Sequence, residues 1–237
     1  MAWIFCNTHH SPLSNKQLRK ALASAIDRKQ LTEICNQQIP CYSLLPPSLS
    51  LQTEKKPLHV DIKKAKTAYK QALQELGCSS LTLRLHFSHL FGEVSSYLKQ
   101  QWKSILGLEI ILLKAEWNEF LRLCTQDDYH LACYWVTPSY PSPYAFLEIF
   151  KKATHIRNHS RWENAEYQHL LTMAETQVDA AKTNHFLQQA EMLLNEHLPV
   201  IPLYAQKLNF MLSPTIEGIQ DVADASFLDL RWISRNL

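Results

Sequence analysis

Glycine is scarce, with four among 237 residues, where a typical chain carries about 7%. Gly77, Gly92, Gly107 and Gly218 stand too far apart for G-x-G-x-x-G, for a phosphate-cradling P-loop or for a G-x-S-x-G nucleophile elbow. Mechanisms built on a Gly-rich turn are therefore excluded. An excess of one charge is also missing: 24 Lys and Arg against 22 Asp and Glu leave a net +2, and the basic residues are spread along the chain. A nucleic-acid partner needs a concentrated basic face, so none is expected. Long apolar runs are absent too. The uncharged stretch 131–147 is broken by Pro138, Pro141 and Pro143, whereas a membrane-spanning helix needs about 20 mostly apolar residues. The opening Met1–His10 has neither a basic start nor an apolar run, so no secretory signal is expected. There is no C-x-x-C pair among Cys6, Cys35, Cys41, Cys78, Cys124 and Cys133. In a chain well above disulfide-dependent size these read as free, mostly buried thiols.

What is present is helix and strand periodicity over enough apolar residues (46%) to bury a core. Trp3–Cys6 reads as a strand. Ser14 and Gln17 form an S-x-x-Q capping box before Leu18, Ala21, Leu22, Ala25 and Ile26 at helical spacing, with Arg19, Lys20 and Arg28 expected near solvent. Residues 37–60 hold Pro40, Pro46, Pro47 and Pro57 without periodicity and read as a long ordered excursion. Asp61 caps a helix with apolar face Ile62, Ala65, Tyr69, Ala72, Leu73 and Leu76, stopped by Gly77. Strands follow at 81–87, 108–113 and 129–136, separated by helices over Val94–Leu106 and Trp117–Leu123. This alternation predicts an α/β fold with helices packed on a small sheet. Two amphipathic helices, around Tyr167–Ala174 and Phe186–Leu194, precede Pro199, and 200–212 and 227–233 read as strands.

Few side chains suggest catalysis. His155 and His159 have the i, i+4 spacing of a helical metal pair, but no Glu lies between them and Arg157 would repel a cation. A solvated loop is the better reading, and no metal or other cofactor is expected. Asp127 and Asp128 are adjacent and so point apart in a strand, which favours a turn role, and Asp27–Arg28 reads as a local ion pair. No nucleophile is placed beside a base, so no enzyme is expected. The stretch Tyr134–Tyr144 sets four aromatics and three prolines just past a strand, where α/β folds present ligand crevices. Proline lowers the ordering entropy there and aromatics supply contact area. A rigid turn packed on the core would explain the same composition.

Several segments together resemble the oligopeptide- and dipeptide-binding proteins of ABC importers. They are Phe5–Thr8, Pro12–Leu22 with Ala25–Arg28, Pro40–Pro47, the Tyr140-Pro-Ser-Pro-Tyr-Ala-Phe-Leu147 turn, Asn164–Leu171, Ala190-Glu191 and Pro199–Tyr204. The resemblance implies a periplasmic-binding-protein-like α/β lobe: a small mixed sheet with flanking helices, plus C-terminal strands that return to the other lobe. Residues 1–204 would be the second, C-terminal lobe and 205–237 the strands that belong to a missing first lobe, with the signal peptide absent as well. The implied partners are an oligopeptide ligand, ABC permease subunits and, if the two lobes are encoded apart, a separate chain carrying the first lobe. The implied location is the periplasm, or the cytoplasm if the chain is expressed as given. Trp3, Phe5, Trp135, Ser139 and Tyr140 would line the half-cleft; Trp3 and Phe5 alternate on one strand and share a face, and they would serve equally as core aromatics. Family members commonly hold an acidic residue just before the Tyr-Pro turn, against the peptide's α-ammonium. Ser139 stands there in this chain, and a hydroxyl lacks the charge assistance of such a contact. A truncated orphan lobe without ligand binding is the competing reading.

Overall fold

A computed structural model describes residues 1–36, 38–51, 59–126, 128–207, 211, 213, 215–217 and 234–235. In chain order the elements are β1 (Ala2–Cys6), α1 (Lys16–Ser24), α2 (Arg28–Ile34), β2 (Ile39–Pro40), α3 (Ile62–Leu76), β3 (Thr82–Phe87), α4 (Gly92–Leu106), β4 (Glu109–Lys114) and α5 (Trp117–Gln126). They continue with β5 (Leu131–Trp135), α6 (Pro143–Leu147), α7 (Ala165–Thr176), α8 (Ala180–His197), β6 (Val200–Ala205), β7 (Ile216–Glu217) and β8 (Ser234–Arg235). Strands β7 and β8 pair with each other, antiparallel.

The main sheet has the order β2-β6-β1-β5-β3-β4. β3 runs parallel to β4 and β5, while β1 is antiparallel to both of its neighbours and β2 is antiparallel to β6. This is the α/β sheet with packed helices expected from the alternation of periods, and its mixed strand directions are those the resemblance implies. Because successive strand residues face opposite ways, each strand feeds two cores. Ala2, Ile4, Cys6, Leu131 and Cys133 pack with α1, α3 and α4 on one face. Trp3, Phe5, Ala132 and Tyr134 pack with α5 to α8 on the other. Pro202 stands in the interior strand β6, where it cannot donate to a ladder. It is accommodated because the register breaks there, Ala2 pairing with Tyr204 and Trp3 with Pro202. The bulge turns Leu203 and Tyr204 onto the same face.

Local chemistry sets the element ends. Asp61 Oδ1 accepts from the Lys64 amide at 2.9 Å and Gly77 closes α3 at φ 66°, as the sequence predicts. The cap of α1 is Asn15, whose Oδ1 accepts from the Leu18 amide at 3.0 Å, one residue after the expected Ser14. Asn is as good a cap as Ser, and starting one residue later keeps Leu18 on the buried face. Ile62, assigned to the buried face of α3, is the first residue of the helix and is exposed.

Two arginines expected near solvent are buried. Arg19 donates to the carbonyls of Leu13, Ser14 and His197, tying α1 to the carboxyl end of α8. Arg28 donates from Nε to the Pro202 carbonyl at 2.8 Å and from Nη1 to those of Ala23 and Ile26. Asp27 serves as the cap of α2 through Lys29 and Gln30. The pair therefore holds a helix corner against β6 rather than forming only a local ion pair. The planar guanidinium satisfies several carbonyls that a bend leaves open, and desolvation lowers Arg28 to about 10.

The excursion before α3 is stitched to α8. Glu191, fully buried, accepts from Ser43 Oγ at 2.5 Å, Ser50 Oγ at 3.2 Å and the Leu51 amide at 3.2 Å. Asn195 adds bonds to Ser43 and the Leu44 amide. None of the six cysteines is in a disulfide, and four of them are buried. The strand read over 200–212 ends at Ala205; the strand read over 227–233, together with Asp127, Pro57 and Gly218, lies outside the described residues.

Candidate functional site

The sheet's directions concentrate chain ends on one edge. β5 and β6 both oppose β1, and β3 and β4 follow β5. The carboxyl ends of these four strands therefore share an edge with the starts of β1 and β2. Connections leave it in different directions: α4 returns on the first face and α5 on the second. An α/β sheet opens its ligand crevice at such a divergence, outside the carboxyl ends. The edge carries the 88–91 turn after β3, the 115–117 turn after β4, the proline loop 136–142 after β5, Met1, and Gln206–Lys207.

Four large apolar side chains are exposed here: Leu90, Trp117, Tyr140 and Ile39. Trp117 rests on Tyr134 and His159, with ring centroids 5.6 and 5.8 Å away. Its outer half faces solvent, with 47% of its surface exposed. Polar groups lie between them. His89 Nδ1 approaches Glu116 at 3.2 Å, and this contact holds the Glu116 carboxyl below its ordinary range. Lys114 lies 3.8 Å from the same carboxylate.

The proline loop is fixed at both ends. Met1 and Val136 exchange main-chain bonds at 2.9 and 2.8 Å. Ser142 caps α6, with Pro143 in the first turn where its missing N–H costs nothing. Between these points Ser139 and Tyr140 are exposed and Thr137 is open to solvent. Arg157 crosses from the 151–161 segment, donating from Nη1 to Ser139 Oγ at 3.3 Å and from Nη2 to the Thr137 carbonyl.

The structure places the five expected ligand-lining residues at three depths. Ser139 and Tyr140 are on the loop surface. Trp135 is half-buried, between Phe91 and Tyr204 at ring distances of 5.4 and 5.5 Å. Trp3 and Phe5 do share a face, but it is the inner one. Trp3 is 0% exposed against Phe146 and Phe150, and Phe5 is 2% exposed against Phe120 and His159. These two support α6 and the loop from below and have no surface to offer a ligand. Alternation along a strand gives a shared face but not which layer covers it.

His159 likewise departs from the solvated loop expected for it. The 151–161 segment is a run of turns, not a helix, and His159 is buried beside Phe5, Phe120 and Trp117. Burial lowers its pKa to about 4, helped by the charges of Arg161 and Arg157. Among the described residues no three His, Cys, Asp or Glu side chains gather as a metal site, and Asp128 pairs with Arg84 at 2.7 Å. Trp117, Leu90 and Arg157 are edge residues that the sequence reading did not select. Extending the strand-end argument from β5 to β3 and β4 would have found the first two; nothing local marks Arg157, which reaches the edge from 20 residues downstream.

Comparison with known proteins finds relatives in sequence and in fold. Oligopeptide-binding protein OppA of Bacillus subtilis is 26% identical over 228 residues, spanning 92% of this chain and 42% of its own length. The fold of HbpA2 from Haemophilus parasuis superposes with a TM-score of 0.84 at 21% identity, over 100% of this chain and 48% of that one. A solved peptide-binding protein of a peptide ABC transporter is of similar size: 86% of this chain and 97% of that one align, with a TM-score of 0.77 at 24% identity. This chain thus spans less than half the length of the curated relative it matches. The family in question is one of binding, not catalytic, proteins. Residues 1–158, which include strands β1 to β5 and the proline loop, match its middle-region model, so the chain belongs to the bacterial extracellular solute-binding proteins of family 5.

Proposed function

We propose that residues 1–204 are the second, C-terminal lobe of a peptide-binding solute receptor, and that the carboxyl edge forms one wall of its cleft. The observation that carries this reading is the coincidence, on one edge, of chain entry at β1, chain exit after β6 and the exposed aromatic and polar loops. An opposing lobe reached through those crossings would face these loops. Trp135, Ser139 and Tyr140 then line the wall together with Trp117 and Leu90, while Trp3 and Phe5 hold the loop in place. Residues 205–237 would run toward the opposing lobe.

One wall does not enclose a ligand. Small-molecule sites typically bury about 70–90% of a ligand's surface, and an open edge covers much less. Family membership points to an oligopeptide ligand, ABC permease components as partners and a periplasmic setting, with the opposing lobe supplied by other residues. Without that second wall the lobe would be the orphan lobe of the competing reading, with no enclosed ligand.

Titration of the labelled chain with a pool of tri- to pentapeptides tests the assignment. The Trp135 and Trp117 indole signals and the Ser139 and Tyr140 amides are expected to shift at peptide concentrations on the order of millimolar, as a half-site predicts. Silence of all four, with the fold intact, leaves the orphan lobe without ligand binding as the correct description.

A further inference from the structure

We infer that Arg157 makes the loop after β5 a carboxylate-recognising position, so that the lobe selects ligands presenting an anionic group there, a peptide C-terminus or an acidic side chain. This inference rests on the ligand-facing reading of the edge.

The guanidinium lies against the strand end through two neutral acceptors, Ser139 Oγ and the Thr137 carbonyl. No carboxylate pairs with it among the described residues, although Lys151 and Arg161 beside it are engaged. Lys151 is matched by Glu175 at 2.6 Å, and Arg161 donates to the Cys124 carbonyl at 3.0 Å. Glu148, the carboxylate felt by the Tyr140 hydroxyl, forms no ion pair with Arg157. A guanidinium has five N–H donors in a planar fork. With two of them held by the loop, others remain for a ligand.

The fork is also pre-set. The Arg157 amide donates to His155 Nδ1 at 3.2 Å. Asn158 then bridges the carbonyls of Lys152 and Trp162 at 3.0 and 2.8 Å, and Tyr129 donates to the His159 carbonyl. A segment braced at so many points loses little freedom when a ligand arrives. The matching partner for a fixed planar fork is a planar anion that accepts two parallel bonds. An ammonium group would be repelled, and the neighbouring Ser139 supplies no charge to attract one.

The test uses the full chain and four alanine tripeptides: free at both ends, N-acetylated, C-amidated, and blocked at both ends. Binding is followed by NMR shifts in wild type, Arg157→Gln and Arg157→Lys, with thermal melts to check folding. C-amidation is expected to weaken binding to wild type about five- to tenfold, the range for a charge-assisted contact at a half-exposed site. N-acetylation changes it less. Arg157→Gln removes the discrimination and Arg157→Lys keeps part of it. Equal affinity for the acid and the amide in wild type, or a penalty that persists in Arg157→Gln, overturns the carboxylate assignment while leaving the ligand-facing edge intact. Failure of all four peptides to bind overturns the ligand-facing edge itself, and the carboxylate assignment with it.

Discussion

Replacing His159 with Phe should remove a defined part of the protein's sensitivity to acid. His159 is 8% exposed and is surrounded by Phe5 and Phe120 at 5.1 Å and Trp117 at 5.8 Å. Burial is the main cause of its displacement, and the charges of Arg161, Arg157 and His155 add to it; together they carry its pKa from 6.5 to about 4. The folded state therefore holds the neutral ring, while the unfolded chain takes up a proton near pH 6.5. Between those values the unfolded state binds one more proton than the native state, so stability is complete above pH 6.5 and is shed as pH falls toward 4. The slope is about 1.4 kcal/mol per pH unit and the total about 3 kcal/mol. Urea unfolding followed by tryptophan fluorescence, at fixed ionic strength from pH 7.5 to 4.5, measures it. Burial also lowers the pKa of His86, His130 and His197, so wild type loses more than one histidine's share. The difference between wild type and His159→Phe isolates the one. Phe keeps a ring in the aromatic cluster, so the variant should be less sensitive by up to the full amount. Parallel curves for the two proteins would refute the argument.

Other perturbations have different signatures. Glu191 is raised by burial despite its three donors, so the unfolded chain ionises first and stability falls as pH rises from the ordinary carboxylate value. Glu191→Gln should flatten that fall, read by urea midpoints between pH 4 and 6, and expose the 43–51 segment to protease through loss of the Leu51 bond. Arg28→Met leaves the carbonyls of Pro202, Ala23 and Ile26 without its donors and should cost about 3–5 kcal/mol in denaturant unfolding. Trp3→Ala and Trp117→Ala should separate packing from ligand contact. The first should cost about 3–5 kcal/mol. The second should cost about 1–2 kcal/mol, because half of that ring is already in water, and should diminish peptide-induced shifts on the edge.

The elements that the sequence revealed are those whose signal is local. Asp61 and Gly77 bracket α3, strict alternation marks Leu81–Phe87, and the spacing of Val94, Leu98 and Trp102 sets α4. The proline loop was legible as a strand-end feature because its composition differs from what surrounds it. What could not be read depends on distant chain. Arg19 and Arg28 look like solvent-facing charges until the carbonyls of His197 and Pro202, far along the chain, come to meet them. Trp3 and Phe5 could belong to a cleft wall or a core until α6 and α5 cover them. His159 reads as a loop residue until Tyr129 and the α5 aromatics enclose it. In each case a polar or aromatic side chain owes its role to an element that folds onto it, and no spacing rule contains that information.

The neighbouring placement of β1 and β6 has a further consequence. Adjacent antiparallel strands lie about 4.8 Å apart, and the lobe's body is strung between the start of one and the end of the other. A segment whose two ends nearly touch can be spliced into or out of a host chain without stretching either. If the proposed second lobe joins the chain at these two ends, a rotation about that closely spaced pair would swing the body as one piece.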